Sequence, residues 1–209
     1  MRALATMLAW ISTGTALCIR AMSDADLSAP SLLPGWTRKH VVAHLSANAE
    51  AIGNLLYWAK TGEEKHMYSS PEQRAADIAA GARKPAPELR SWFRESAHAL
   101  MAEMAQLTDA QWQRPILTAQ GRHVLAIEAP WMRSREVMVH AVDLGTGLTF
   151  TNLSGDFLEE LCADIRAKRG NVPDLRGPLA EVAAYLAGRP YEGVRSSDGN
   201  PAAPPPPWL

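Results

Sequence analysis

Alternation of apolar and polar residues at period two is nearly absent from the first 150 residues of this 209-residue chain. Apolar positions recur instead every three or four residues over long stretches, the period of a helix with one buried face. A chain so patterned buries its stripes by packing helix on helix, so the fold class expected is mainly α, with a four-helix bundle as the principal unit. The four segments run over about residues 2–22, 37–61, Pro87 to Leu107, and Ala129 or Pro130 to Gly145. Thr37 fits the N-cap of the second and Gly62 its stop.

Two long connections interrupt this pattern. "EEKHMYSSPEQRAADIAAGARKPAP" carries helical content around residues 71–80, and "TDAQWQRPILTAQGRHVLAIEAP" a short hairpin around Gln120 and Gly121. Connections of this length between bundle helices are often functional, which makes them candidates for a substrate-facing rim. After "DLGTGLTF" the chain changes character. "SGDFLEELCADIRAKRG" and "GPLAEVAAYLAGRP" read as two further helices, followed by the Pro-rich tail "SSDGNPAAPPPPWL", which Trp208 is placed to dock. The division expected is therefore residues 1–150 for the bundle and 151–209 for a small C-terminal segment.

A formal net charge of -1 and a pI near 6.6 give no electrostatic case for nucleic acid or an anionic membrane as partner. Cys18 and Cys162 lie far apart and read as core thiols in a reducing cytoplasm. The apolar N-terminus invites a signal-peptide reading, but Leu4, Leu8, Ile11, Thr15, Cys18 and Met22 alternate by three and four, as in an amphipathic core helix. No run of about 20 apolar residues stands out, so no membrane span is expected.

Chemistry concentrates on two of the four segments. On the second, "HVVAHLSANAE" sets His40, His44 and Asn48 four apart on one face. On the fourth, "REVMVHAVDLGTG" sets Glu136 and His140 four apart, with Asp143 three further on. The bland reading of such a pair is a solvated, salt-linked surface. Against it, the fourth segment is otherwise apolar (Val137, Met138, Val139, Ala141, Val142, Leu144), and a charge buried there must be paired or bind a metal. A carboxylate and an imidazole one turn apart are a recurrent way for a bundle helix to offer two ligands, and His44 at mid-helix offers a third. His40, nearer the helix start, reads as surface or as a neighbour of the ligands, and Asn48 likewise. Three such donors leave coordination positions open, as catalytic sites do, and suit Zn²⁺ without excluding Fe²⁺, Co²⁺ or Ni²⁺.

The strings "LPGWTRKHVVAHLSANAEAIGNLLYWAKTG", "MYSSPEQRAADI" and "REVMVHAVDLGTGL" resemble the mycothiol-dependent maleylpyruvate isomerase family over about residues 1–150. "GPLAEVAAYLAGR" and the terminal "PPPPWL" resemble the end of that family's C-terminal domain. The resemblance implies a DinB-like metal-binding bundle followed by a sterol-carrier-like α/β segment, short and truncated here. It implies His44, Glu136 and His140 as ligands of a divalent metal, taken as zinc, and mycothiol as the thiol cofactor. It also implies Arg74 of "MYSSPEQR" as an anion contact, Asp143 as a polar group beside the metal, and Arg189 of "LAGR" as a substrate contact from the C-terminal segment. Arg38, Arg133 and Arg135 stand near helix ends and read as solvated cations.

The activity implied is cis-trans isomerisation of maleylpyruvate to fumarylpyruvate, in the gentisate route of aromatic degradation. Rotation about the cis double bond needs that bond to be single for a moment, which reversible thiolate addition provides. The sulfur is the cofactor's, so no catalytic cysteine is needed. Two other readings share the same bundle: a mycothiol S-transferase acting on another electrophile, and a non-catalytic metal-binding module. The partners expected are a small-molecule substrate and a low-molecular-weight thiol, with no nucleic acid and no membrane, for a monomer or homodimer.

Overall fold

In chain order the helices are α1 (Leu4–Met22), α2 (Arg38–Thr61), α3 (Pro71–Ala82), α4 (Ala86–Met104), α5 (Asp109–Trp112), α6 (Ala129–Asp143), α7 (Gly155–Arg169) and α8 (Leu179–Leu186). They come from a computed structural model that describes residues 2–203 apart from 171 and 173. The expected tail contact of Trp208 lies outside the described residues. The chain forms two compact units, residues 1–146 and 147–209.

In the first unit α1, α2, α4 and α6 are the four long helices of the bundle. α1 packs along α6, while α2 packs on α4, α3 and α6. The caps of α2 follow its sequence. Thr37 is an extended N-cap in a capping box, and Gly62, at φ 84°, closes the last turn in the left-handed region that glycine enters without strain. Ile52, Leu55 and Leu56 of α2 are fully buried in a cluster with Ile11, Leu100, Met104, Trp112 and Ile116. Arg38 ties the start of α2 to the residues that follow α6, its Nε donating to Leu144 O and its Nη2 to Gly145 O, both at 2.8 Å.

α1 buries a somewhat different face from the one expected. Met7, Trp10, Ile11, Gly14, Cys18, Ala21 and Met22 are buried, whereas Leu4, Leu8 and Thr15 are only half-buried. The reason lies at Gly14, where a Cβ would stand 2.5 Å from Val137 Cγ2 and 3.0 Å from the Met138 nitrogen. The backbones of α1 and α6 approach here as only glycine permits, and this sets the rotation of α1. By length and composition these 19 residues would suffice to cross a bilayer, contrary to the sequence expectation, yet they form one wall of the bundle.

The connections also take shape. Ser70 caps α3 by accepting from the Gln73 nitrogen, with Pro71 at the first helical position. Strands β1 (Pro115–Leu117) and β2 (His123–Leu125) pair antiparallel, Ile116 opposite Val124, around a turn with Gly121 at φ 73°. In the second unit α7 and α8 pack together, and β3 (Leu175–Arg176) pairs antiparallel with β4 (Arg195–Ser196), across α8 in sequence, in a minimal two-stranded sheet. Tyr185 and Tyr191 stack edge to face and donate to the Ala203 and Ala202 carbonyls.

Candidate metal centre

The four-residue repeats bring three donor atoms to one point between α2 and α6. His44 Nε2 lies 2.8 Å from Glu136 Oε2, and His140 Nε2 lies 3.3 Å from the same oxygen. One donor atom from each of the three residues lies within 4.8 Å of the others. Donors held about 2.0–2.1 Å from a tetrahedral ion stand about 3.4 Å apart, so a small adjustment of these side chains gives half or more of a coordination shell. The two imidazoles meet edge to face at 4.9 Å, and Trp36 stands 5.8 Å from the His44 ring as an aromatic wall.

The neighbours fix which ring nitrogens are available. Asp143 is fully buried and its Oδ2 lies 2.7 Å from His140 Nδ1. That bond holds a proton on Nδ1 and turns Nε2 toward the donor cluster, the carboxylate–histidine arrangement typical of metal sites. On His44, Nδ1 lies 3.3 Å from Arg74 Nη2. A guanidinium only donates, so Nδ1 accepts and the ring proton of neutral His44 is on Nε2, directed at Glu136.

Electrostatics follow the same geometry. Burial lowers the pKa of His44, opposed by the hydrogen bond and charge of Glu136. Burial pulls His140 down as well, but hydrogen bonds to Asp143 and Glu136 and the charges of both outweigh it, and its pKa rises to about 9. Glu136 is pushed up by burial and drawn well below the carboxylate range by its hydrogen bonds to both histidines. The metal-free centre is thus a buried carboxylate held by one neutral and one protonated imidazole. Both of the chain's thiols lie elsewhere. Burial pushes Cys18 up to about 12 and Cys162 up to about 11, so each stays a protonated core group.

Of the residues expected at the site, His44, Glu136, His140 and Asp143 meet, with Arg74 in contact. Arg189 belongs to the second unit, where it is buried and its Nη1 donates to the Ala187 carbonyl at 2.6 Å. His40 is a capping residue, with Nδ1 accepting from the Thr37 nitrogen at 3.2 Å. Asn48 is buried and accepts from Arg133. The expectation of solvated arginines fails at two positions. Arg133 is 0% exposed and Arg38 serves the α6 carbonyls, because each reaches across to a neighbouring helix. Tyr68 was not expected. It stands with the Arg74 guanidinium 5.6 Å from its ring centre, and burial raises the pKa of its hydroxyl against the opposing charge of Arg74. Its signal in the sequence was its place in "MYSSPEQR", beside Arg74.

Fold and site together define a helix-bundle protein with an interior His–Glu–His cluster able to hold a divalent metal ion. Residues 8–145 match the mycothiol maleylpyruvate isomerase N-terminal domain. A crystal structure of a mycothiol-dependent maleylpyruvate isomerase superposes with a TM-score of 0.92 at 36% identity, covering 99% of this chain and 98% of that one. A histidine-to-alanine mutant of such an isomerase matches equally, with TM-score 0.92 and 36% identity over the same shares. No curated protein matches. The chain belongs to the mycothiol maleylpyruvate isomerase family, a family of enzymes.

Proposed function

We propose that the chain catalyses the mycothiol-dependent cis-trans isomerisation of maleylpyruvate to fumarylpyruvate at a divalent metal, Zn²⁺ by first preference, held by His44, Glu136 and His140. The observation that carries this is the convergence of three donor atoms from α2 and α6 inside a bundle of this family. The donor set, two imidazole nitrogens and one carboxylate oxygen, leaves open positions of the kind found in catalytic sites. When bound, the metal and mycothiol supply a Lewis acid and a nucleophilic sulfur that adds reversibly to the cis double bond.

The chain's own residues do the rest. Asp143 holds His140 in the tautomer that presents Nε2. With His44 Nε2 committed as a ligand, its ring proton resides on Nδ1, which no longer accepts from Arg74. The guanidinium of Arg74 is thereby released to meet a carboxylate of the substrate. Trp36 closes one side and limits water at the reacting bond. We place the enzyme in the cytoplasm, as a monomer or homodimer acting on a small-molecule substrate with a low-molecular-weight thiol.

The test is conversion of maleylpyruvate with and without mycothiol, repeated after chelation. Activity should need both and return on adding Zn²⁺. His44→Ala and Glu136→Ala should lose metal and turnover together, and full activity in a metal-free variant would sink the proposal. Stable thioether formation with a generic electrophile, without isomerisation, would show an S-transferase instead.

A further inference from the structure

Arg133 stands one turn before Glu136 on α6, on the face that carries Glu136 and His140. It is fully enclosed. Its Nη1 donates to Leu45 O at 2.7 Å and to Asn48 Oδ1 at 2.8 Å, so it touches α2 beside His44 and one turn beyond it. Its Nε and Nη2 have no hydrogen-bond partner. A guanidinium removed from water and served by two neutral oxygens through one nitrogen is a costly arrangement. If the task were only to tie α2 to α6, a neutral amide would do it without enclosing a charge. What the charge alone supplies is positive potential, one helical turn from two of the proposed ligands.

We propose that Arg133 is a positioning residue, a fixed positive charge enclosed behind the metal centre that strengthens the hold of the open face on an anionic sulfur and an anionic substrate. This rests on the metal- and thiol-dependent reading above. The groups that share this field are Glu136, His140 and Asp143 on α6, His44 on α2, Arg74 on α3, Tyr68 just before α3, and the Cys18 thiol on α1. With neutral imidazoles and a divalent ion in place, the centre carries net positive charge, and Arg133 raises it by one unit. Two opposite consequences follow. The charge repels the ion and attracts the thiolate, so its removal tightens the cation and loosens the anion, whereas loss of a merely structural tie weakens both.

The experiment uses the full chain with Co²⁺ as probe metal and 2-mercaptoethanol as probe thiol. Arg133→Gln should bind Co²⁺ more tightly, by up to about tenfold, while the thiolate-to-cobalt absorption band appears about one pH unit higher at the same thiol concentration. Arg133→Lys should restore both values. Co²⁺ bound no tighter by Arg133→Gln, or a band at the parent's pH, would overturn the proposal. Asn48→Ala removes a hydrogen bond and leaves the charge, so the pH of the band should stay within a few tenths of a unit. A full-unit shift in that variant overturns the proposal even if Arg133→Gln fails to fold. A parent chain that binds no Co²⁺ would refute the metal reading itself, a result distinct from either.

Discussion

The metal-free centre holds a proton that an incoming ion has to displace. His140 carries it, with a pKa raised to about 9 by Asp143 and Glu136 against the opposing effect of burial. The proton on Nε2 faces Glu136 Oε2 at 3.3 Å, where the ion must bind. Well below that pKa each ion bound releases one proton, so apparent affinity should rise about tenfold per pH unit and level off near pH 9, about fiftyfold or about 2.3 kcal/mol in all between pH 7 and 9. Titration calorimetry at pH 7, in two buffers of different ionisation heat, should count about one proton released per ion. Affinity that is flat from pH 7 to 9, or the absence of proton release, would refute the reasoning and show His140 neutral before metal arrives. The same proton sets a stability profile. Its folded pKa lies above the ordinary value of about 6.5, so its contribution is full below that pH and is lost as pH rises through about 9. The contribution is on the order of 3 kcal/mol, so the thermal midpoint of the metal-free protein should fall across this window and bound metal should flatten the fall.

Other perturbations separate packing from chemistry. Gly14→Ala gains about 1 kcal/mol of helix propensity but overpacks by about 1–3 kcal/mol, and the 2.5 Å approach to Val137 Cγ2 places it toward the upper end. Urea melts should therefore show a net loss of about 1–2 kcal/mol, and a stabilised variant would mean that α1 can draw away from α6 freely. The double change Cys18→Ala with Cys162→Ala should retain mycothiol-dependent turnover, since both thiols are core groups; loss of turnover in a folded double variant would implicate a protein sulfur. Arg74→Ala should raise KM about tenfold or more with metal content unchanged, as expected for loss of a charged hydrogen bond to a carboxylate. An unchanged KM would remove Arg74 from substrate binding.

What the sequence disclosed was local. The caps of α2 were legible because Thr37 and Gly62 act within one turn of themselves. The meeting of Glu136 and His140 was legible because spacing of four puts them on one face, and the apolar background of α6 makes that face an interior one. Arg133 was misread because its position near a helix end says nothing about what covers it. Its cover is Leu45 and Asn48, 88 and 85 residues away. A sharper reading was available in the stripe 133, 136, 140, 143, whose steps of three and four place Arg133 with the ligands. His40 was taken for a possible neighbour of the site because periodicity cannot tell an interior polar stripe from a cap. Tyr68 and Trp36 lie outside the regular helices, where approach to the centre depends on how the chain turns back on α2.

The direct bond between His44 and Glu136 bears on the order of events in a cell. In small zinc domains the polypeptide has no stable fold until the ion arrives, and synthesis and metal loading are one event. Here the carboxylate is satisfied by two imidazoles, and the cluster around Ile52, Leu55 and Leu56 owes nothing to an ion. On this geometry folding would not wait for an ion, and the proposed metal would enter a finished pocket by displacing a proton. Were turnover to need that metal, the amount of working enzyme would follow exchangeable metal and pH, while the amount of folded protein would follow synthesis.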